Sequence, residues 1–353
     1  MFAASTKNLI IAYQITIPTF HNKMNLRKII PAFLLASVVF FLGQSCSSPK
    51  PGVYANDQIP SGKKTDFHEL NTQLFNGLKA NDSKALSLIF SQEMIDKRYN
   101  LKMVETISNH IKEGGYTLLD EYYLVNKKRG NDTIKVTGRD INDHSIVVDA
   151  ETPEMYVAFF GQKSIPNQWM VSAVYCKLSY GWKVALLDIN PYTKNGKTAP
   201  ELYELAKEKY AKNYLVDALD LMMLSHDCSV PFQGWINPDV AEGNDFYTKL
   251  LNEANDKYRL PFVIKQVPTQ PRIFNMTTQT TPEGVFPMIF YASKVKITDQ
   301  AGMKKEHDAV RKAIGTIMPG IDKDKKYVFY SVFNKAPNNF ESVDRYEVTD
   351  TLK

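Results

Sequence analysis

Cysteine is scarce in this chain: Cys46, Cys176 and Cys228 are the only three in 353 residues. That count excludes a disulfide-stapled scaffold and the paired C-x-x-C frameworks of structural zinc sites. Histidine is nearly as thin. His21, His68, His110, His144, His226 and His307 stand too far apart for the short ligand spacings that metal sites use. G-x-S-x-G, H-E-x-x-H, Walker and dinucleotide fingerprints are missing, so the common hydrolase, metalloprotease and nucleotide-binding signatures are excluded. The longest apolar run, Ile29 to Leu42, has 14 residues and contains Pro31, short of the roughly 20 that a spanning helix needs. A charge surplus is also lacking. The formal +5 includes Lys7, Lys23, Arg27 and Lys28, and without them 39 basic residues face 38 acidic ones. No nucleic-acid partner is expected from that balance, and no metal or other cofactor.

What is present begins with the N-terminal stretch. Arg27 and Lys28 precede the apolar run, and Gly43-Gln44-Ser45-Cys46 follows it. A basic segment, a short apolar segment and small residues form a secretory signal. With a cysteine next, the pattern resembles a bacterial lipoprotein signal, although Gly43 and Gln44 depart from its usual residues. The resemblance implies cleavage before Cys46, a diacylglyceryl thioether on Cys46 and acylation of the new terminus. It therefore implies a lipid bilayer as partner through those acyl chains. Residues 1–45 are expected to be the signal region, with the true start at Met24. Residues 46–65, rich in Ser, Pro, Gly, Asn and Lys, are expected to be a flexible tether. Ser47 to Ala55 carries no acid, unlike the retention and surface-export patterns of related lipoproteins, which implies the outer membrane facing the periplasm.

Past the tether, the expected fold class is α+β. Phe67, Leu70, Leu74 and Leu78 mark a helix, Ser83 is expected to cap a second, and Leu101 to Lys112 gives a third, stopped by Gly114-Gly115. Strands are expected at Tyr116–Asn126, Thr133–Ile141, Met155–Phe160, Trp169–Leu178 and Trp182–Ile189, with a turn at Arg129 to Asp132. Trp169, Val171, Ala173 and Tyr175 share one strand face, and Met170, Val174 and Cys176 the other. A strand apolar on both faces needs cover on both. The N-terminal helices supply one cover; the interior of a curved sheet, or a partner, is expected to supply the other. Helices followed by a curved antiparallel sheet, the Phe75-Asn76-Gly77-Leu78-Lys79-Ala80-Asn81-Asp82 helix end and the Gly181-Trp182-Lys183-Val184 strand are similar to the nuclear-transport-factor-2-like superfamily. Its cone-shaped domain is thereby expected over residues 66–190.

Residues 199–258 change period. Leu202, Leu205, Ala206, Ala218, Met222 and Ser225 fall at the positions of a tetratricopeptide repeat, which the stretch resembles. Lys209 and Pro231 depart from that pattern, and an ordinary helical hairpin fits equally. A single hairpin cannot bury its own face, so it must pack on a neighbour such as Asp245–Tyr258. Residues 259–353 read as a second β-rich α+β unit. Its strands are expected at Phe262–Val267, Ile273–Thr277, Val285–Lys296, Tyr327–Phe333 and Val343–Val348, with a helix at Met303–Ile317. Pro261, Pro268, Pro271 and Pro287 suggest edges or bulges there.

Chemistry-bearing residues are few. His226-Asp227-Cys228 is the one compact cluster, but helical neighbours diverge by about a hundred degrees. Asp227 as a cap and Cys228 as a buried thiol are expected instead. Cys176 and Cys228 are expected to remain separate thiols. Asp120, Glu121 and Asp188 fall on strands where they could line a cone. The expected function is a membrane-tethered envelope lipoprotein that binds or scaffolds an envelope protein or small ligand. The alternative is a cone-fold isomerase or hydrolase acting on a small envelope metabolite.

Overall fold

The computed structural model describes residues 49–96, 99–337 and 343–352. Cys46, the signal region and the start of the expected tether lie outside them. Residues 50–353 form one compact unit. Its class is α+β: helices pack on three mostly antiparallel sheets.

The first surprise lies in the expected tether. Gly52–Ala55 is a strand, β1, and helix α1 already begins at Ser61, running to Ala80. Val53 and Tyr54 face Leu124 and Tyr123 across an antiparallel ladder, so tertiary pairing overrides the Pro- and Gly-rich surroundings. Phe67, Asn71, Leu74 and Leu78 form the buried stripe of α1. Asn81, in the left-handed conformation, ends the helix. Asp82, rather than Ser83, caps α2 (Ser83–Ile89), accepting from the Lys84 and Ala85 amides at 3.1 and 3.0 Å. Helices α3 (Gln92–Asp96) and α4 (Tyr99–Glu113) follow.

Strands β2 (Tyr116–Val125), β5 (Glu154–Gln162), β6 (Trp169–Leu178) and β7 (Gly181–Pro191) complete the first sheet, in the order β1-β2-β5-β6-β7. Between β2 and β5 the chain departs from expectation. Gly130 to Asp132 of the turn anticipated at Arg129 to Asp132 already belong to β3 (Gly130–Val136), which stops five residues before Ile141. Its partner is β4 (His144–Ala150), and the two-residue β8 (Trp235–Ile236) joins them in a second sheet.

That second sheet answers the two-sided strands. Tyr156, Ala158, Val171, Ala173 and Tyr175 pack with the helices, whereas Met155, Val157, Met170, Val174 and Cys176 pack with Ile134, Ile146 and Val148. The facial split read from the sequence therefore holds. The second cover is a separate sheet, not a partner or the hollow of one curved sheet.

The later half is built from α5 (Ala199–Ala211), α6 (Leu215–Asp227), α7 (Val240–Lys257) and α8 (Gln300–Ile317). Thr198 and Glu201 form a capping box at the start of α5, with Pro200 in its first turn. Ala206 and Ala218 are fully buried in the α5–α6 hairpin, which packs on α7 through Tyr203 and Tyr210 against Phe246. The third sheet holds β9 (Phe262–Val263), β10 (Arg272–Thr281), β11 (Gly284–Ala292), β12 (Tyr327–Phe333) and β13 (Tyr346–Thr351), ordered β13-β12-β11-β10-β9. Strands β11 and β12 are parallel, joined through α8; the other pairings are antiparallel. Pro287 therefore stands in a central strand. It is tolerated because pairing with β12 begins only at Met288, so Pro287 has a neighbour on one side alone. Hairpin, α7, α8 and third sheet share one hydrophobic core.

Candidate functional site

At β7, the edge of the first sheet, the two sheets leave a cavity of about 690 Å³. Ala185, Leu186, Leu187 and Asp188 all line it. A bulge at Ala185 puts Ala185 and Leu186 on the face toward the second sheet, whereas Leu187 packs with the helices, so the cavity wraps around the strand edge. Its floor is apolar, made of Met155, Val174 and Cys176, with Met94 and Met103 from the helical side. Glu93, Asp149, Glu151 and Asp188 stand among its lining groups, and no lysine or arginine does among the described residues.

One wall depends on a glycine. Gly234 has φ +90°, and a Cβ there would sit 2.2 Å from the Val147 carbonyl oxygen. The close approach lets the Val147 amide donate to the Gly234 carbonyl at 2.9 Å, which holds the 232–236 segment on β4. Phe232 and Trp235 then meet Phe159 with ring centroids 5.2 and 5.9 Å away. His144 stacks on Trp235 at 3.7 Å, and its Nδ1 donates to the Asn142 carbonyl at 2.9 Å. Burial holds His144 below its ordinary range, so the ring is neutral at physiological pH.

The three acids singled out from the sequence do not converge. Asp120 and Glu121 are adjacent on β2 and point to opposite faces. Asp120 accepts from Arg139 at 2.8 and 2.5 Å and from Asn56 Nδ2 at 3.1 Å. Glu121, on the helical side, accepts from the Tyr156 hydroxyl at 2.8 Å and lies 3.0 Å from His68 Nε2. Asn71 extends this network, donating to the Tyr156 hydroxyl at 2.7 Å and accepting from the Tyr175 hydroxyl at 2.9 Å. Only Asp188 reaches the cavity, and its oxygens accept from the Ile189 amide and Asn190 Nδ2, each at 2.8 Å. Asn56, inside the expected tether, serves both buried acids: its Oδ1 also accepts from the Glu121 amide at 3.0 Å. Nothing in the local sequence marked it.

Both described cysteines are free, buried thiols. Burial pushes Cys176 up to about 11 and Cys228 up to about 12, so both stay protonated. His226, Asp227 and Cys228 separate as expected: His226 stacks on Tyr247, and the Cys228 thiol donates to the Leu224 carbonyl at 3.2 Å. Asp227 does not cap. It is the last residue of α6 and lies 3.8 Å from Lys194. Among the described residues, no group of three His, Cys, Asp or Glu is placed to hold a metal, and no helix is long and apolar enough to cross a membrane.

No protein-family model, curated protein or solved structure matches this chain.

Proposed function

We propose that the chain is a lipid-anchored envelope protein of the outer membrane, facing the periplasm, whose body binds a small ligand of apolar character between its first two sheets. The cavity of about 690 Å³ with its Met155, Val174 and Cys176 floor carries the binding reading, because it falls in the size range of about 300–1,000 Å³ typical of ligand sites. The anchor rests on the residues from Arg27 to Cys46. Helices preceding the sheet and the closing Gly181-Trp182 strand support the nuclear-transport-factor-2-like reading of residues 66–190. The buried Ala206 and Ala218 support the tetratricopeptide-like reading of the hairpin. Binding is favoured over isomerase or hydrolase chemistry because Asp120 and Glu121 are engaged in internal pairs on opposite faces of β2.

Two measurements test the two parts. Metabolic labelling with an alkynyl fatty acid should mark the wild-type chain and not the Cys46→Ser variant; equal labelling, or none in either, defeats the anchor. N-phenyl-1-naphthylamine, an uncharged apolar fluorophore, should brighten on residues 50–353. Ala185→Phe, which places a ring in the cavity from β7, should weaken that signal while leaving the circular dichroism spectrum unchanged. Undiminished brightening in the folded variant defeats the site.

A further inference from the structure

A second cleft, independent of the first, lies on the seam between the α5–α6 hairpin and the start of β11. It holds about 310 Å³, at the lower end of the range of about 300–1,000 Å³ for small-molecule sites. Leu202 and Leu205 of α5, Leu221 and Leu224 of α6, and Val285 and Phe286 of β11 form apolar walls.

Charge gathers within these walls, and most of it is paired. Lys325 Nζ lies 3.0 Å from each oxygen of Asp217 and also donates to the carbonyls of Gly320 at 2.6 Å and Lys323 at 2.8 Å. Lys209 Nζ donates to Asp324 Oδ2 at 2.7 Å. Asp217 and Asp324 thus each have a lysine. Asp220 lines the same cleft three residues beyond Asp217, on the same side of α6, and among the described residues it forms neither a hydrogen bond nor an ion pair. Burial first, and the nearby Asp217 charge second, push its carboxyl up to about 8 against a weaker opposing pull from Lys325. Half-buried beside Leu221, this carboxyl therefore holds its proton more firmly than an ordinary aspartate does.

We propose that this cleft binds a small organic amine, whose apolar body lies against Leu205, Leu221 and Phe286 and whose ammonium completes a third ion pair, with Asp220. No covalent bond changes. The amine enters as its ammonium form, the Asp220 carboxyl gives its proton to solvent, and the resulting carboxylate faces the bound cation. The charged groups facing Asp220 are Asp217 on its own helix, Lys209 on α5, Asp324 and Lys325 before β12, Glu283 at the β10–β11 turn and Lys197 before α5. Asp217 and Asp324 are paired as above, and Glu283 is held by Lys326. Among the described lining acids, Asp220 is the one whose charge state changes on binding.

Calorimetric titration of n-hexylamine into residues 50–353, which contain every core described above, tests the proposal. Repeating it in buffers of different protonation enthalpy should reveal release of about one proton near pH 7. Affinity should rise about tenfold per pH unit below 8. Asp220→Asn, a neutral match for the protonated acid, should weaken binding at least tenfold, and n-hexanol and hexanoate should bind weakly to both proteins. The Asp220 carboxyl signal in ¹³C-labelled wild-type protein should move toward the carboxylate position, a readout that does not depend on the variant folding. Hexanol binding as tightly as hexylamine, absent proton release, or an Asp220→Asn variant that binds normally overturns the site. Nα-acetyl-lysinamide binding more tightly than hexylamine overturns the small-amine assignment in favour of a peptide lysine. Hexylamine binding should survive Ala185→Phe, so failure here is separable from failure at the inter-sheet cavity.

Discussion

Glu306 of α8 is only 3% exposed, and neither of its carboxylate oxygens meets a hydrogen-bond partner among the described residues. The Tyr291 hydroxyl is likewise unpartnered, and burial, then the Glu306 charge, hold that phenol well above its usual range. The next residue is half satisfied: His307 Nε2 lies 3.0 Å from Asp350 in a buried pair, while its Nδ1 has no partner among the described residues. An unsatisfied buried polar group costs about 1–3 kcal/mol, and replacing it with an apolar group of similar shape removes that cost. Glu306→Met should therefore stabilise the fold by about 1–3 kcal/mol, seen as a higher urea midpoint. A lower midpoint would show that the carboxylate is satisfied in solution. The same contrast explains what could be read of Asp120 and Glu121. Both were visible as acids on a strand. Their partners were not, because Asn56 lies 64 residues from Asp120 and Arg139 lies 19 away, and no periodicity carries information over such separations.

Elements were legible in proportion to their length and burial. Strands β6 and β12 were expected at the bounds they adopt, since each is a long run of apolar and β-branched residues. Strand β8 is two residues long and exists only through its pairing with β4, so no local pattern could announce it. β1 was hidden by its Pro- and Gly-rich flanks, and β4 by the extension of β3 to Ile141. Part of what fixes the early segment is electrostatic. Glu154 of β5 gathers Lys63 of α1 at 3.1 Å, the Tyr123 hydroxyl of β2 at 2.5 Å and Lys177 of β6. Burial opposes its charge, but the hydrogen bonds from Lys177, Tyr123 and Lys63 prevail and draw its carboxyl down to about 2. A carboxyl lowered on folding contributes stability above its unfolded range, and that contribution disappears as pH falls through its folded value. Glu154→Gln should cost about 1–2 kcal/mol at pH 7, a figure reduced for the solvent exposure of both lysines. The gap from wild type should narrow steadily between pH 4.5 and about 2, measured by urea unfolding. A gap independent of pH would assign the loss to packing instead.

The whole molecule has separate hydrophobic cores, yet the chain crosses between them. One core joins α1–α4 to the first sheet, another joins the first and second sheets, and a third joins α5–α8 to the third sheet. Phe232 and Trp235 belong in sequence to the later half, after α6, but they pack in the core between the first and second sheets. Cutting the chain between the expected boundaries at 190 and 199 would therefore remove part of the earlier half's core, which those boundaries did not suggest. Cys176 sits in that core at 1% exposure and reports on its opening. Phe232→Ala removes a 3% exposed aromatic ring, a change that costs about 3–5 kcal/mol in a packed core. Each 1.4 kcal/mol is about tenfold in an opening equilibrium. Alkylation of Cys176, located by peptide mass mapping under conditions where reclosing outpaces labelling, should then accelerate at least tenfold. The position of the substitution makes the result diagnostic, because Phe232 follows Cys176 by an intervening strand, linker and helical hairpin. Unchanged labelling at Cys176 would mean that the 232–236 segment opens on its own, and that the two sheets close their core without it.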